Sequence, residues 1–411
     1  MNATPLEFPL YRAAQVREFD RRAIEEQGIA GYELMTRAAA AALRELRAYW
    51  PRARRIHVIC GAGNNAGDGY VLARLAQAAG LDPRIVHLVD PEELRGDART
   101  ACLDARAAAV PAVPFTAYAC ADADVLVDAL LGTGLDRPLS DTWAAAVDAI
   151  NAAAAPVLAL DIPSGLQADT GAVQGCAVRA DLTVSFIAAK PGLYTGRGPD
   201  HTGRIVLATL DVPPAVFAAV EPAAWRIDTD WLQATLPSPR PRCAHKGAFG
   251  HVLVIGGQPG MSGAARLAGE AAARVGAGLV SVATHPEHAA ALNLGRPELM
   301  VHAVADSEGL KPLLERATVL ALGPGLGQSA WARGLLAAVW DSALPVVVDA
   351  DGLNLLAQKP LRRDNWILTP HPGEAARMLG ISTAQVQDDR LLAAASLRER
   401  FGAVVVLKGN G

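Results

Sequence analysis

The 411-residue sequence is poor in cysteine, in aromatic side chains and in clustered charge. Its five cysteines are scattered without a C-x-x-C pair, so the usual zinc and disulfide frameworks are not expected and the thiols should be reduced. The net charge is −4 with no basic block, which argues against nucleic acid and membranes as partners. No apolar run approaches the ~20 residues of a membrane span, and the start lacks a secretion-signal pattern. We expect a cytoplasmic protein, with homo-oligomer formation left open.

What the sequence does contain is a repeated alternation of apolar strands and helical segments. Such alternation predicts an α/β fold with parallel sheets covered on both faces. Residues 13–49 have apolar side chains at helical spacing and predict two leading helices. Proline, arginine and serine cluster between residues 221 and 247. The length favours two domains, and we place them at residues 1–222 and 223–411.

The first glycine-rich turn, "CGAGNNAGDGYVLARLA" at residues 60–76, follows an apolar strand and leads into a helix. A dinucleotide-binding crossover requires G-x-G-x-x-G. Here Gly61 and Gly63 are followed by Gly67, one residue too late. No acidic ribose-binding residue lies at the right spacing either, so a dehydrogenase is disfavoured. The turn also carries two asparagines and an aspartate, which a bare phosphate loop does not need.

Three further strands of the first half end in polar residues. "DALLGTGLDRP" carries Asp128, "DIPSGL" carries Asp161 and Ser164, and "SFIAAKPGLYTGRG" carries Lys190. The carboxyl ends of parallel strands border one crevice, so we expect these side chains to converge. Each has a plainer interpretation alone: Asp68 of the first turn as a helix cap, and Lys190 as a solvated lysine. Asp128 is harder to dismiss, because a carboxylate within an apolar strand needs a partner if it is buried.

These stretches, together with the leading "AAQVREFDRRAIEEQGIAGYELMTRA", resemble the YjeF N-terminal domain, the NAD(P)H-hydrate epimerase family. The resemblance covers roughly residues 10–220. It implies a Rossmann-like three-layer αβα domain that interconverts the R and S forms of NADHX and NADPHX, which carry a hydroxyl group on C6 of the reduced nicotinamide. It also implies a potassium ion held by Asn65, Asp128 and Ser164, whose oxygen atoms suit a hard cation. The substrate contacts implied are Asn64, Asn65, Ala66, Gly67, Asp68, Gly132, Thr133, Gly134, Leu135, Asp136, Arg137, Pro138 and Asp161.

Inversion at C6 requires a group that donates and accepts a proton there. Asp161 is our first candidate for this catalytic role and Lys190 is the second. Phosphate binding remains the alternative for Lys190, because lysine often serves as a point charge for phosphate.

The second half resembles the ADP/ATP-dependent NAD(P)H-hydrate dehydratase family, which has a ribokinase-like α/β fold. "HKGAFGHVLVIGG", "GPGLG", "DADGLN" and "TPHPGEAARML" carry the resemblance. It implies conversion of S-NAD(P)HX to NAD(P)H at the expense of ADP or ATP, with Mg2+ accompanying the nucleotide. Asp351 alone predicts a cap for a helix beginning at Leu353. The implied substrate contacts are Ala264, Gly325 and His371, and the implied nucleotide contacts are Lys408, Gly409, Asn410 and Gly411.

The whole chain thus resembles a bifunctional fusion of an isomerase and a lyase. The dehydratase family continues past "KGNG" with a G-[ST]-G-D segment that supplies the catalytic base, and no such segment occurs in these residues. We therefore expect a second domain that is incomplete at its C-terminus and impaired in dehydration. Two alternatives stay open: a ribokinase-like small-molecule kinase with an accessory domain, and a non-catalytic nucleotide-binding module.

Overall fold

A computed structural model of the chain describes residues 8–116, 118–135, 137–139, 141–236 and 239–410. These residues form two compact units. The first contains the described residues up to Leu236 together with Asn410, and the second contains residues 239–409. Each unit contains its own parallel sheet with helices around it, so the predicted α/β class is confirmed. No helix in the described ranges is long and apolar enough to cross a membrane.

The first unit is built on a parallel sheet. The strands of this unit are β1 (Phe8–Leu10), β2 (Arg55–Cys60), β3 (Asp82–His87), β4 (Ala112–Pro114), β5 (Val125–Ala129), β6 (Val157–Leu160), β7 (Leu182–Phe186), β8 (Arg204–Ala208) and β9 (Ala224–Arg226). As far as the chain is described, seven of them form one sheet in the order β4-β3-β2-β5-β6-β7-β8. The chain order reverses between β2 and β5, and such a switch point opens a crevice at the carboxyl ends of the two strands.

Helices cover both faces of this sheet. The helices of the first unit are α1 (Ala13–Glu25), α2 (Gly31–Tyr49), α3 (Asn64–Ala78), α4 (Gly96–Ala107), α5 (Asp141–Ala152) and α6 (Thr229–Thr235). Alternate strand residues face opposite sides: Val58 packs in the core shared with α1 to α4, and Ile59 packs in the core shared with α5. The three-layer arrangement is therefore present, and α1 and α2 are the two leading helices predicted from residues 13–49.

Close packing of α3 fixes the loop that precedes it. A Cβ atom added at Gly69 would lie 2.6 Å from Ala129 Cβ and 3.0 Å from Cys60 Sγ, so only glycine lets the helix approach the sheet this closely. The close approach places the first turn of α3, with Asn65 and Asp68, beside the ends of β2 and β5.

The second unit has its own parallel sheet. Its strands are β10 (His251–Ile255), β11 (Leu279–Thr284), β12 (Met300–Ala303), β13 (Val319–Leu322), β14 (Val346–Val348), β15 (Trp366–Leu368) and β16 (Val404–Val405). They follow the order β12-β11-β10-β13-β14-β15-β16 within the described residues. The helices are α7 (Ser262–Val275), α8 (Pro286–Leu292), α9 (Ser307–Leu314), α10 (Ala330–Trp340), α11 (Asp351–Gln358), α12 (Pro372–Leu379), α13 (Thr383–Asp388) and α14 (Arg390–Phe401).

The division between the units falls after Leu236, later than the predicted boundary at residues 222 and 223. The reason is that β9 pairs antiparallel with β1, with Phe8 opposite Arg226. This pairing keeps residues 224–226 with the first unit. The proline-rich stretch also contains α6, which is too short to show a clear helical period.

Candidate active site

A cavity of about 420 Å³ lies at the carboxyl edge of the first sheet. Its walls come from α1 and α2, from the start of α3, and from the segments that follow β5, β6 and β7. Four carboxylates line it: Asp20 of α1, Asp68 of α3, Asp97 of α4 and Asp161 after β6. The prediction that polar strand ends converge on one crevice is therefore confirmed for Asp68 and Asp161.

Asp161 is fixed by an ion pair with Lys190. The backbone of Asp161 adopts φ +66°, and its N–H donates to Val184 O at 2.8 Å. Its Oδ1 accepts from Lys190 Nζ and, at 3.1 Å, from the N–H of Phe186. The side chain of Asp161 is 14% exposed and that of Lys190 is fully buried. The carboxylate is thus anchored on one oxygen while its side chain still reaches the cavity.

Lys190 uses its remaining protons inside the protein. Its Nζ also donates to Ser185 Oγ at 3.1 Å and to Phe186 O at 2.9 Å. The interpretation of Lys190 as a solvated lysine is therefore wrong. A buried ammonium with three acceptors is also poorly placed to bind phosphate.

Asp128 and Ser164 form a second buried group. Asp128 accepts from the Ser164 N–H at 2.8 Å, from Ser164 Oγ at 2.7 Å and from the Leu130 N–H at 3.2 Å. Burial raises the pKa of Asp128 to about 6, although the hydrogen bonds from Ser164 oppose this shift. No cationic side chain in the described ranges pairs with Asp128. Asp128, the carboxylate predicted to need a partner within its apolar strand, is therefore hydrogen-bonded by neutral donors and not by a cation.

Asn65 brings an unsatisfied amide to the same edge. Its side-chain Oδ1 and Nδ2 are both buried and have no hydrogen-bond partner among the described residues. A buried orphan amide is rare enough to require an explanation. A Cβ atom at Gly132 would lie 3.6 Å from Asn65 Cβ and 3.7 Å from Asp161 Oδ2. Gly132 therefore leaves open the space between the orphan amide and the Asp161 carboxylate.

Asp68 and Asp20 repel Asp161 and each other. Burial, then Asp161 and Asp20, raise the pKa of Asp68 well above its usual value. Burial and then Asp161 raise the pKa of Asp20 to about 6, while Lys190 acts in the opposite direction. Within the described residues, no three His, Cys, Asp or Glu side chains are grouped so as to hold a metal ion.

Asp20 was missed because sequence reasoning searched only the strand ends. Val16, Asp20 and Ile24 are spaced by four residues on α1, and all three line the cavity. A carboxylate within an otherwise apolar helical row was the available signal.

The predicted dinucleotide contacts fall into two groups. Those that line the cavity are Asn64, Asn65, Asp68, Gly132, Thr133, Gly134 and Asp161. Those that are described but do not line it are Ala66, Gly67, Leu135, Arg137 and Pro138, while Asp136 lies outside the described residues. Gly67 has a packing role, because an added Cβ would lie 2.5 Å from Met35 Cε and 3.0 Å from Ala98 Cα.

In the second unit, two of the predicted substrate contacts are neighbours. Gly325 has φ +61°, and a Cβ there would lie 2.4 Å from Met261 O and 3.2 Å from Ala264 Cβ. The Gln258 N–H donates to Gly325 O at 2.7 Å. Ala264 at the start of α7 and Gly325 after β13 thus form one glycine-rich surface.

The third predicted contact, His371, lies beside Lys408. The Nδ1 of His371 accepts from the Gly373 N–H at 3.0 Å, and the His371 N–H donates to Glu374 Oε2 at 2.8 Å. Lys408 Nζ lies 2.6 Å from Asp349 Oδ1 and 3.9 Å from Glu374 Oε2. Glu374 therefore links the start of α12 to the segment after β16.

Asp351 does not cap a helix at Leu353, because α11 begins at Asp351 itself. Its Oδ2 instead accepts from the Gly327 N–H at 2.8 Å. Of the remaining predicted nucleotide contacts, Gly409 and Asn410 are exposed and Gly411 lies outside the described residues.

Comparison with known proteins covers both units. Residues 31–192 match the family described as YjeF-related protein N-terminus, and residues 252–411 match the family described as NAD(P)H-hydrate dehydratase. The bifunctional NAD(P)H-hydrate repair enzyme of Coxiella burnetii is 50% identical over 402 residues, which are 98% of this chain and 82% of that protein. The chain belongs to the bifunctional NAD(P)H-hydrate repair enzyme family.

Two further proteins are similar to this chain. The bifunctional NAD(P)H-hydrate repair enzyme of Escherichia coli is 43% identical over 419 residues, covering 100% of this chain and 80% of that protein. A solved structure of the ADP/ATP-dependent NAD(P)H-hydrate dehydratase from Bacillus subtilis, co-crystallised with ATP and Mg2+, is 31% identical. That match covers 44% of this chain and 65% of the other, with a TM-score of 0.38.

Membership of the bifunctional repair family confirms both resemblances drawn from the sequence. The first unit is the Rossmann-like epimerase part, and the second is the ribokinase-like dehydratase part. The small-molecule kinase and the non-catalytic binding module are not favoured.

Proposed function

We propose that the first unit interconverts the R and S forms of NADHX and NADPHX in the cavity at its sheet edge. The second unit converts the S form to NADH or NADPH at the expense of ADP or ATP. The observation that carries the epimerase proposal is the Asp161–Lys190 pair: a carboxylate anchored by a buried lysine faces a cavity. The residue roles below are part of this proposal.

Asp161 Oδ2 is the atom that exchanges a proton with the substrate. Oδ1 is occupied by Lys190 and the Phe186 N–H, whereas the space in front of Oδ2 is kept open by Gly132. Epimerisation requires the C6 hydroxyl group to leave and return on the other face, or the ring to open and close. Either route needs proton exchange at the C6 oxygen. Asp161 is therefore the catalytic residue, and Lys190 is a positioning residue.

A potassium ion fits the group formed by Asn65, Asp128 and Ser164. An orphan amide, a buried carboxylate without a cationic partner and a hydroxyl group supply oxygen atoms, which hard cations prefer. Asn65, Asp128 and Ser164 would hold the ion, which would supply a fixed positive charge there. The Ser164 hydroxyl positions the Asp128 carboxylate through their hydrogen bond.

The adenine nucleotide fits the exposed segment from Lys408 to Asn410. Lys408 places a cation there, and Gly409 has φ +134° with Arg390 so close that an added Cβ would lie 2.9 Å from its Nη atoms. Lysine binds phosphate as a point charge, and Mg2+ accompanies the nucleotide. His371, Ala264 and Gly325 would contact the hydrated dinucleotide.

The epimerase proposal is tested with a single purified epimer of NADHX and no nucleotide, with the R/S ratio followed by chromatography. The full chain should equilibrate the epimers well above the enzyme-free rate, and K+ should support this better than Li+. Asp161→Asn should lower the rate by about a hundredfold or more. Asp200→Asn, which changes a carboxylate that is 60% exposed in a surface pair with Arg197, is the matched control. Full activity of Asp161→Asn would remove Asp161 from the chemistry.

The dehydratase proposal is tested by the nucleotide-dependent appearance of NADH. S-NADHX, Mg2+ and either ADP or ATP are mixed with the full chain, and absorbance reports NADH. Consumption of the S epimer only with nucleotide supports the proposal, and the rates with ADP and ATP show which is preferred. Asp161→Asn should leave this rate unchanged.

A further inference from the structure

Asp20 is a carboxylate of the cavity that comes from a helix and not from a strand end. It lies on the row Val16, Asp20 and Ile24 of α1, and each member lines the cavity. Phe19 beside it is fully buried in the core. The packing of Phe19 fixes the rotation of α1, so Asp20 is held toward the cavity and not toward bulk solvent.

The Asp20 carboxylate has no hydrogen-bond or ion-pair partner in the described part of the chain. The wall around it is largely apolar and includes Leu34, Met35 and Ala38 of α2. Burial of an unpaired charge is energetically unfavourable. An ionised carboxylate in this position therefore lowers the stability of the fold, and a function would explain why it is kept. The charged groups of the cavity and its floor are Arg17 of α1, Asp68 of α3, Asp97 of α4, and the pair Asp161 and Lys190.

Asp20 and Asp161 therefore lie in contrasting environments within one cavity. Asp161 is held by the Lys190 ammonium, whereas burial and the charge of Asp161 raise the pKa of Asp20 to about 6. Two carboxyl groups with different environments in one site commonly divide the roles of acid and base.

We propose that Asp20 is a second catalytic residue of epimerisation, exchanging a proton with the C6 oxygen on one face of the ring while Asp161 serves the other face. This inference rests on the proposed epimerase function of the first unit. The two residues come from different walls of the cavity, one from α1 and one from the sheet edge. A nicotinamide ring bound between Asp20 and Asp161 would present one face to each.

The reaction balances with these two groups and water. Protonated Asp20 donates its proton to the C6 hydroxyl group, the C6–O bond breaks with its electrons moving to oxygen, and water leaves. The N1 lone pair forms the N1=C6 double bond of an iminium ion, whose positive charge the nearby carboxylates stabilise. A water molecule then adds to C6 from the opposite face, and Asp161 Oδ2 accepts its proton. Each turnover moves one proton from Asp20 to Asp161, and exchange of both carboxyl groups with solvent restores the starting state before the next turnover in the same direction. The reverse direction exchanges the two roles, and no oxidant or reductant is consumed.

The first experiment measures epimerisation by wild type, Asp20→Asn and Asp20→Glu without nucleotide. Removal of a general acid costs about 10²–10⁴-fold, so kcat of Asp20→Asn should fall at least about a hundredfold. The KM should change little, because asparagine keeps the size of the side chain. Asp20→Glu keeps a carboxylic acid and should retain more activity than Asp20→Asn. Glu18→Gln, on the outer side of α1 with its partner Arg21, is the matched control and should behave as wild type.

The second experiment is the pH profile, which a structural role would not change. In the direction where Asp20 acts as the acid, only its protonated form is active. The wild-type rate should then fall as pH rises above about 6, the raised pKa of Asp20, and this limb should be absent in Asp20→Asn. Thermal unfolding of each variant checks that the fold is intact.

The outcomes separate the two proposals. If wild type does not equilibrate the epimers, the proposed function fails first. If wild type is active and Asp20→Asn keeps kcat within about tenfold, less than the usual contribution of a general acid, the role of Asp20 is overturned. A rise in KM with unchanged kcat also overturns it, because Asp20 would then only bind substrate. If Asp20→Asn does not fold, Asp20→Ala takes its place, and persistence of the wild-type alkaline limb in that variant overturns the role of Asp20 equally.

Discussion

Replacement of Lys190 by methionine tests the ion pair beneath the proposed catalytic carboxylate. Methionine nearly matches the volume of lysine but leaves Asp161 without its cation and deprives Ser185 Oγ and Phe186 O of a donor. Breaking a buried ion pair by removing one partner costs about 3–5 kcal/mol. The Asp161 side chain is 14% exposed to the cavity, so water partly solvates the carboxylate left behind. We therefore expect a loss of about 3 kcal/mol, at the lower end of that range.

A double-mutant cycle isolates the pair. Asp161→Asn combined with Lys190→Met removes both charges, and the double variant should be less destabilised than the sum of the single variants by about 1–3 kcal/mol. Because the chain has two units, the free energy of unfolding should be followed locally, by urea-dependent hydrogen exchange of peptides from β6 and β7 in the full chain. Peptides from β10 and β13 should show no change.

Additive effects of the two substitutions, or a cost below about 1 kcal/mol for Lys190→Met, would refute the reasoning. Either result would mean that Lys190 is solvated or that Asp161 does not depend on it. Epimerase activity offers a second readout. Lys190→Met should lower kcat with little change in KM, because Lys190 positions Asp161 without touching the substrate.

Three other predictions follow from the packing and charge of single residues. Gly69→Ala should destabilise the first unit by about 1–3 kcal/mol through overpacking, because the new Cβ would lie 2.6 Å from Ala129 Cβ. The control is Gly334→Ala in α10, whose Cβ would meet nothing within 4 Å. It should be neutral or stabilising in thermal unfolding. Asp20→Asn should stabilise the first unit above pH 6 and not near pH 4. The folded-state pKa of Asp20 is raised to about 6 from 3.8. Wild-type stability therefore falls as pH rises through that interval, by up to about 3 kcal/mol. Lys408→Met should raise the KM for ADP about tenfold or more through the loss of a phosphate-binding cation while epimerisation is unchanged; an unchanged KM would remove Lys408 from the nucleotide site.

The polar strand ends were predictable because a parallel sheet places them together regardless of loop detail. Asp128 within β5 and Asp161 after β6 are examples: the apolar runs around them located the strands, and the topology then located the cavity. The two leading helices were equally predictable from their spacing of apolar residues. Both family resemblances rested on the same polar stretches.

The remaining features depend on tertiary packing, which the sequence pattern does not encode locally. Lys190 looked like a solvated lysine, and its burial arises only because the segment after β7 folds back over Ser185 and Phe186. Asp20 belongs to the site because α1 packs across the sheet edge. The orphan amide of Asn65 likewise reflects the close approach of α3 to the sheet, which Gly69 permits.

The most direct test of the central claim, that the cavity of the first unit is an epimerase site, is relaxation from both sides. Pure R-NADHX and pure S-NADHX are incubated separately with the full chain and K+ but without nucleotide, and the ratio of epimers is followed by chromatography. The account predicts that both samples reach the same R/S ratio, and that Asp161→Asn slows the approach without changing the endpoint. The account would be contradicted if the epimers interconverted only at the enzyme-free rate, or if Asp161→Asn brought them to the common ratio as fast as wild type.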